Sequence, residues 1–298
     1  MSANVFSKPP LALADQVALL KTRGMLIADE KAAENALLHL NYYRFSGYAL
    51  HYELFSGGQR THQFAAGTRI EDVLYLYDFD SRLRALLFRF IEPVEVAFRA
   101  AVCHELCTRT NDSHWHLNPG MYDNRFHFVR LRTDCEEESE RNKDEVFIRS
   151  YRAKYDEPPT PPAWMMSEIL SIGRWSKIYA HLASHEAKKA VAGVFSTKPY
   201  HLQSWIHALS VLRNLCAHHS RIWNRDFKIR PALPNAFKES GSGHTRLAAQ
   251  VFVLKSLLTP LEKDGEFRRE WNALMDAFPG VPRRNMGFEG GGAQAGKL

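Results

Sequence analysis

Apolar residues recur along most of the chain at the three- and four-residue spacing of an α-helix. The longest such stretch runs from Ile70 to Thr110, and Pro93 inside it predicts a kink. No segment alternates apolar and polar residues as a half-buried strand does. The pattern therefore predicts an all-α fold. The apolar stripe of the longest helix comprises Leu83, Leu86, Leu87, Phe90, Val94, Ala97, Phe98 and Ala101.

Shorter helices are predicted on both sides of this stretch. The first ends at Gly24, a residue that often follows a helix. A strongly charged region between the loop after Thr110 and residue 155 predicts one helix or a helix pair. The predicted segments are 11–23, 29–40, 126–155, 164–171, 175–183, 186–195, 200–223, 245–263 and 267–277.

A proline-rich segment, Glu157-Pro-Pro-Thr-Pro-Pro162, interrupts the helical pattern. Prolines so closely spaced exclude a helix and predict a stiff linker or a rigid loop. We therefore expect an N-terminal helical half at residues 1–155 and a C-terminal half at residues 163–282. The Gly-rich tail, residues 283–298, is expected to be disordered.

Composition adds that the chain is globular. Hydrophobic residues make up 45% of its 298 residues and aromatic residues 12%, enough for a packed core. The N-terminus lacks the basic and apolar regions of a secretory signal, and no apolar stretch has the length of a membrane span. We expect a cytoplasmic protein without a membrane partner, whose four cysteines are thiols.

Positive charge gathers in one region. The chain has 39 Lys and Arg residues against 33 acidic ones, an excess that permits a polyanionic partner without requiring one. Residues 213–230 contain five basic residues and one acidic residue. Arg221 and Arg225 are one turn apart if the helix continues, and with Lys228 and Arg230 they are predicted to follow an RNA backbone. A solvated charged surface is the alternative.

The helix predicted over residues 200–223 carries unusual polar residues. Arg213 falls in the middle of its apolar face, where a guanidinium needs either a carboxylate partner or a bound anion. Asn214 and His218 lie one turn apart on a different face. The apolar face itself comprises Leu202, Trp205, Ile206, Leu209, Leu212 and Cys216.

These residue types suit cleavage of an RNA phosphodiester. His218 can transfer protons near neutral pH, Arg213 can bind the phosphate, and Asn214 can orient either group. No metal or other cofactor is expected, because the neighbouring 2′-hydroxyl is the nucleophile. Arg213 and His218 diverge by about 140° on an ideal helix, so we expect a second helix to complete the cleft.

Three blocks of the sequence resemble the Abi-like family (AbiD/AbiF type) of abortive-infection proteins, which have a HEPN-type core. The resemblance implies a HEPN-like helical bundle, arranged as one or as two HEPN-like halves. HEPN ribonucleases use an Arg-x4–6-His motif, often with Asn after the Arg, and Arg213, Asn214 and His218 match it. The three blocks are residues 40–48, residues 77–99, and the run from Pro162-Ala-Trp164 through Glu168-Ile-Leu-Ser-Ile-Gly173 to Leu212-Arg-Asn-Leu-Cys-Ala-His-His-Ser-Arg-Ile-Trp-Asn224.

The resemblance also implies a function. It is that of a metal-independent endoribonuclease toxin, which halts growth during phage infection and is held in check in some relatives by a small inhibitory RNA. The alternative is a non-catalytic RNA-binding regulatory module that uses the same basic groove. A nucleotidyl-transfer enzyme is not favoured, because the sequence lacks a Gly-rich loop that would cradle a nucleotide's phosphates.

The second helix of the cleft has two candidate sources, because HEPN motifs generally face each other across a dimer or pseudo-dimer interface. One source is a second copy of the chain in a homodimer. The other is the same chain's Arg99-Ala-Ala-Val-Cys-His104, a second Arg-x4-His sequence. We favour the second copy, because Arg99 lies one turn from Glu95, a ready ion-pair partner, and no Asn follows it.

Some further residues have weaker signals. His219 is a candidate substitute for His218, and Glu168 is a candidate structural support that would pair with an arginine. Two cysteines and two histidines between residues 103 and 116 lack the spacing of common zinc sites, so no metal site is expected. They are Cys103, Cys107, His114 and His116.

Overall fold

The computed structural model describes residues 7–235, 237, 244–288 and 296–298, and the fold is mostly helical, which confirms the all-α class. The chain divides into two compact units, residues 1–82 and residues 83–298. The boundary between these units falls inside the long helix α4 (Ile70–Thr110). The halves expected at residues 1–155 and 163–282 stay a prediction.

The first unit begins with three helices. A side chain caps α2 and another caps α3: Asp29 accepts from the backbone N–H of Ala32, and Asn41 from that of Tyr43. A β-hairpin follows, joined by Gly57 and Gly58, both with positive φ. The elements are α1 (Leu13–Thr22), α2 (Glu30–Leu40), α3 (Tyr42–Ala49), β1 (Glu53–Ser56) and β2 (Gln59–Phe64).

The second unit contains the rest of α4 and eight further helices within the described ranges. The charged region before the proline-rich segment forms a helix pair, α5 and α6. None of the helices in the described part of the chain combines the length and apolar character needed to cross a bilayer. These helices are α5 (Phe128–Arg141), α6 (Val146–Arg152), α7 (Ala163–Ile169), α8 (Ile172–His181), α9 (His185–Val194), α10 (Pro199–Ala217), α11 (Leu247–Leu258) and α12 (Asp264–Ala277).

Helix α10 is central to the packing of this unit. It packs against α8, α9 and α11. All six residues of its predicted apolar face are buried, which confirms the helical-wheel assignment. Since this face is used for packing, only the polar residues of α10 can contribute to a functional site.

The proline-rich segment is a rigid loop of the second unit and not a linker. Thr160, Pro161 and Pro162 are buried. The Tyr151 hydroxyl donates to the Pro158 carbonyl at 2.7 Å, and the Ala163 N–H donates to the Ser113 carbonyl at 2.9 Å. These contacts hold the segment in place, as expected of a rigid loop.

The C-terminal tail differs from the disorder expected over residues 283–298. Arg283 is buried and donates to the carbonyls of Met275 and Phe278 at 2.7 and 2.6 Å. Trp271 donates its indole N–H to the Gly296 carbonyl at 2.6 Å. The described parts of the tail are therefore packed, while the expectation for residues 289–295 lies outside the described residues.

Candidate functional site

One carboxylate binds two arginines where α4 lies beside α10. The Nε atom of Arg213 lies 3.5 Å from Oε2 of Glu95, and Nη2 of Arg99 bonds Oε1 of the same side chain. The side chains of Glu95 and Arg99 are only 11% and 16% exposed, whereas that of Arg213 is 36% exposed. Glu95 is therefore a carboxylate partner of Arg213, the first of the two alternatives expected for its position.

The same contact relates the two Arg-x4-His sequences. The ion pair between Arg99 and Glu95 one turn away is confirmed, but Glu95 also joins α4 to α10. The guanidinium carbon of Arg213 lies 5.7 Å from the centroid of the Phe88 ring, a further contact with α4. The triad of two guanidinium groups and one carboxylate carries a net charge of about +1 at neutral pH. An anion would therefore still be attracted to it, through the more exposed Arg213.

Asn214 and His218 lie on the solvent side of this contact. The Asn214 Oδ1 atom accepts from Nη1 of Arg213 at 3.4 Å, and Asn214 is exposed. His218 caps the C-terminus of α10, where its backbone N–H donates to the Asn214 carbonyl at 2.9 Å. Its imidazole is exposed and forms no hydrogen bond in the part of the chain that the structure describes.

The end of α10 corrects the predicted helix over residues 200–223, since the helix ends at Ala217. His219 adopts a left-handed conformation with a φ of 54°. The N–H of His219 donates to the Cys216 carbonyl, and that of Ser220 to the Leu215 carbonyl. This is the Schellman arrangement, which usually has Gly at the left-handed position. Because His219 occupies this position, the sequence did not indicate that α10 ends at Ala217.

The basic residues beyond α10 are consequently not on a helix. Arg221 and Arg225 are half-buried in an irregular segment, where Arg225 donates to the Arg221 carbonyl at 3.1 Å. Their predicted one-turn helical spacing is wrong. Lys228 and Arg230 are exposed. Of the four, these two side chains are the most available to a phosphate backbone.

His104 and Glu168 line a groove of about 420 Å³ between α4 and α7. Both are exposed, and the His104 imidazole forms no hydrogen bond within the described residues. Glu168 accepts from the Ser167 hydroxyl at 3.5 Å but forms no ion pair with an arginine in the described ranges. Its expected role as an arginine partner is therefore not met. Trp164, which sequence analysis did not select, also lines this groove.

The cysteines and histidines near residue 110 have other environments. Burial raises the pKa of Cys103 to about 12, and its thiol donates to the Ala163 carbonyl. His116 is buried, and burial lowers its pKa to about 3. His114 contacts the Ser113 hydroxyl through Nδ1. Among the described residues, no group of three or more His, Cys, Asp or Glu side chains is arranged to hold a metal ion.

Comparison with known proteins identifies the family. The sequence model of the Abi-like protein family matches residues 35–224, which is 190 of the 298 residues. The matched range includes Glu95, the Arg99-x4-His104 sequence and the Arg213-x4-His218 motif. No curated protein and no solved structure matches the chain. Because the family match covers more than half of its length, the chain belongs to the Abi-like protein family.

Proposed function

We propose that this protein is a metal-independent endoribonuclease toxin. The family suggests abortive infection, a form of phage defence, as its biological setting. The observation that carries the enzymatic part is the sharing of Glu95 by Arg99 and Arg213. It brings the arginines of two Arg-x4-His sequences to one carboxylate, and HEPN-type ribonucleases are expected to use two such motifs together.

In the proposed reaction, the 2′-oxygen of a ribose attacks the adjacent phosphorus and the bond from phosphorus to the 5′-oxygen breaks. One histidine accepts the proton of the 2′-hydroxyl, and a second, protonated histidine donates a proton to the leaving 5′-oxygen. The products are a 2′,3′-cyclic phosphate and a 5′-hydroxyl. The attacked phosphate gains negative charge in the transition state, so a nearby guanidinium stabilises that state more than the bound RNA.

Arg213 is the residue proposed to contact the phosphate, because it is the more exposed arginine of the triad. Arg99 and Glu95 are more buried and are proposed to position it. His218 is the proposed proton-transfer group, and Asn214 orients the guanidinium through its 3.4 Å contact. His104 is the corresponding histidine of the second motif.

The second motif is proposed to come from the same chain. The sequence favoured a second copy, because Arg99 has an ion-pair partner in Glu95 and no Asn follows it. The carboxylate is instead shared with Arg213, and this favours α4 as the helix that completes the cleft. A homodimer that brings two copies of Arg213 and His218 together is the competing arrangement.

One observation favours a second function, that of a non-catalytic RNA-binding regulatory module. Neither His104 nor His218 forms a side-chain hydrogen bond within the described residues, so no neighbour fixes the tautomer of either imidazole. Proton-transferring histidines are commonly oriented by such a neighbour. Under this alternative the same residues would bind RNA without turnover.

Expression in growing cells separates the two functions. We expect the wild-type protein to halt growth and shorten total RNA, and His218→Ala to do neither while remaining folded by circular dichroism. His207→Ala, which removes another exposed histidine of α10, is the matched control and should remain toxic. Full toxicity of a folded His218→Ala protein would contradict the enzymatic proposal.

A further inference from the structure

The groove between α4 and α7 exposes the indole of Trp164. Trp164 is 50% exposed, whereas the most exposed of the chain's other five tryptophans, Trp205, is only 5% exposed. An aromatic side chain of this size usually buries its rings, so an exposed indole in a groove is a surface on which a flat ligand can stack.

Polar side chains line the same groove as this indole. Glu168 lies one helical turn after Trp164 on α7, and His104 and Thr108 come from α4. The only hydrogen bond to the Glu168 carboxylate within the described residues is the long one from Ser167, at 3.5 Å. An ionised carboxylate only accepts hydrogen bonds. The groove is therefore suited to a flat ligand that carries adjacent N–H donors on one edge.

The groove and the arginine triad both include residues of α4. The wall of the groove starts at Ala100, the residue after Arg99, and His104 lies about 7.5 Å further along the helix axis than Arg99. Cys103, on the same wall, lies one helical turn after Arg99 on α4. We infer that a nucleotide next to a phosphate held at the triad reaches the groove.

We propose that this groove binds a guanine base of the RNA, an assignment that depends on RNA being the ligand, as proposed above. Trp164 stacks on the base, and Glu168 accepts from its N1–H and its 2-amino group. Guanine is the RNA base that presents two adjacent donors on its Watson–Crick edge. Adenine and cytosine pair one amino donor with an acceptor, and uracil flanks its single donor with two carbonyl oxygens that a carboxylate repels. Bases in single-stranded RNA are commonly read by such stacking and edge contacts.

Intrinsic fluorescence provides a direct test, because Trp164 is the exposed tryptophan. The probe is a 2′-O-methyl octanucleotide with one guanosine among uridines, which has no free 2′-hydroxyl and cannot be cleaved. We expect saturable quenching with the wild-type protein, and binding with little quenching in Trp164→Phe. Trp164→Ala should weaken binding by about tenfold or more, the usual effect of removing a stacking aromatic. Tyr200→Ala, which removes an aromatic that is 73% exposed, should bind like wild type.

A second probe tests the edge contact with Glu168. The same oligonucleotide with inosine in place of guanosine lacks the 2-amino group. The wild-type protein should bind the guanosine oligonucleotide about tenfold more tightly than the inosine or adenosine oligonucleotide. A factor of this size corresponds to the loss of roughly one hydrogen bond to a charged group. Glu168→Gln should reduce the preference to near one.

The groove assignment is overturned if Trp164→Ala leaves the affinity unchanged, if no quenching occurs, or if Glu168→Gln keeps the preference. It is also overturned if Trp164→Ala alters only the oligomeric state, which would make the groove a protein interface. Failure of the enzymatic proposal is distinguishable. If the protein binds these uncleavable probes as expected but never cleaves RNA, the groove assignment stands and the enzymatic proposal fails. If the Trp164→Ala variant cleaves RNA as the wild type does and binds the probes with unchanged affinity, the enzymatic proposal stands and the groove assignment fails.

Discussion

At the scale of single residues, Glu95 decides how the candidate site is organised. Its carboxylate is nearly buried and contacts two guanidinium groups, of which that of Arg99 is also mostly buried. A mostly buried arginine that loses its carboxylate partner is left as an uncompensated charge. The geometry of the site and the stability of the second unit are therefore linked through this residue.

Replacing Glu95 with Gln should lower the free energy of unfolding by on the order of 3 kcal/mol, the usual cost of breaking a buried ion pair. Urea denaturation followed by circular dichroism measures this change. Glu92→Gln, on the same helix but exposed, is the control and should change the free energy little. Equal stability of Glu95→Gln and the control would show that the triad does not join α4 to α10.

His116 makes stability depend on pH. Its pKa falls from an ordinary value of 6.5 to about 3 in the folded protein, because burial disfavours the charged ring. The unfolded chain therefore binds a proton that the folded chain does not between these two values. The stabilising effect is complete above pH 6.5 and is lost as the pH falls from 6.5 towards 3. His116→Gln should flatten this part of the profile of melting temperature against pH.

His127→Asn is the matched control for that profile, because His127 is a nearby exposed histidine. Its melting temperatures should follow the wild-type curve between pH 6.5 and 4. If His116→Gln also keeps the wild-type slope, then burial of this imidazole does not contribute to the acid sensitivity.

At the scale of elements, the sequence predicted the helices and helix faces that follow from the spacing of apolar residues. The bounds of α4 follow from its apolar stripe, and the buried face of α10 follows from its wheel. The hairpin of β1 and β2 could not be predicted, because among its strand residues only Glu53 and Phe64 are buried and no alternation results. The end of α10 was also hidden, because a histidine fills the position that Gly usually takes. The contact from Glu95 to Arg213 was hidden too, since it joins residues far apart in sequence.

The irregular segment after α10 has its own prediction. Lys228 and Arg230 are its two exposed basic residues among the four proposed to bind RNA. If each neutralises one phosphate of single-stranded RNA, replacing both with Ala should reduce the slope of log affinity against log salt by about 1.4. The slope is measured by fluorescence anisotropy with the uncleavable octanucleotide. The double variant Lys31→Ala and Lys154→Ala, at exposed lysines elsewhere, should keep the wild-type slope.

At the scale of the whole molecule, the question is whether one chain holds a complete site. Arg213 and Arg99 share a carboxylate within one chain, so both motifs are proposed to act in the same protomer. Arg99→Ala and His218→Ala chains should then remain inactive when they are expressed together. A site formed by α4 of one copy and α10 of another would regain all its groups at one of the two sites of a mixed dimer. A homodimer built from two copies of Arg213 and His218 would instead leave Arg99→Ala toxic when it is expressed alone. Restored toxicity in the mixture would therefore contradict the intramolecular arrangement.

Incubation of purified protein with RNA in excess EDTA tests the proposed cleavage chemistry without interference from other cell components. The wild-type protein should cut the RNA and leave 2′,3′-cyclic phosphate and 5′-hydroxyl ends, because the 2′-oxygen is the nucleophile and no metal takes part. Arg213→Ala and His218→Ala, each folded as judged by circular dichroism, should leave the RNA intact. Binding of RNA without any cleavage, or cleavage that survives in folded His218→Ala protein, would contradict the account.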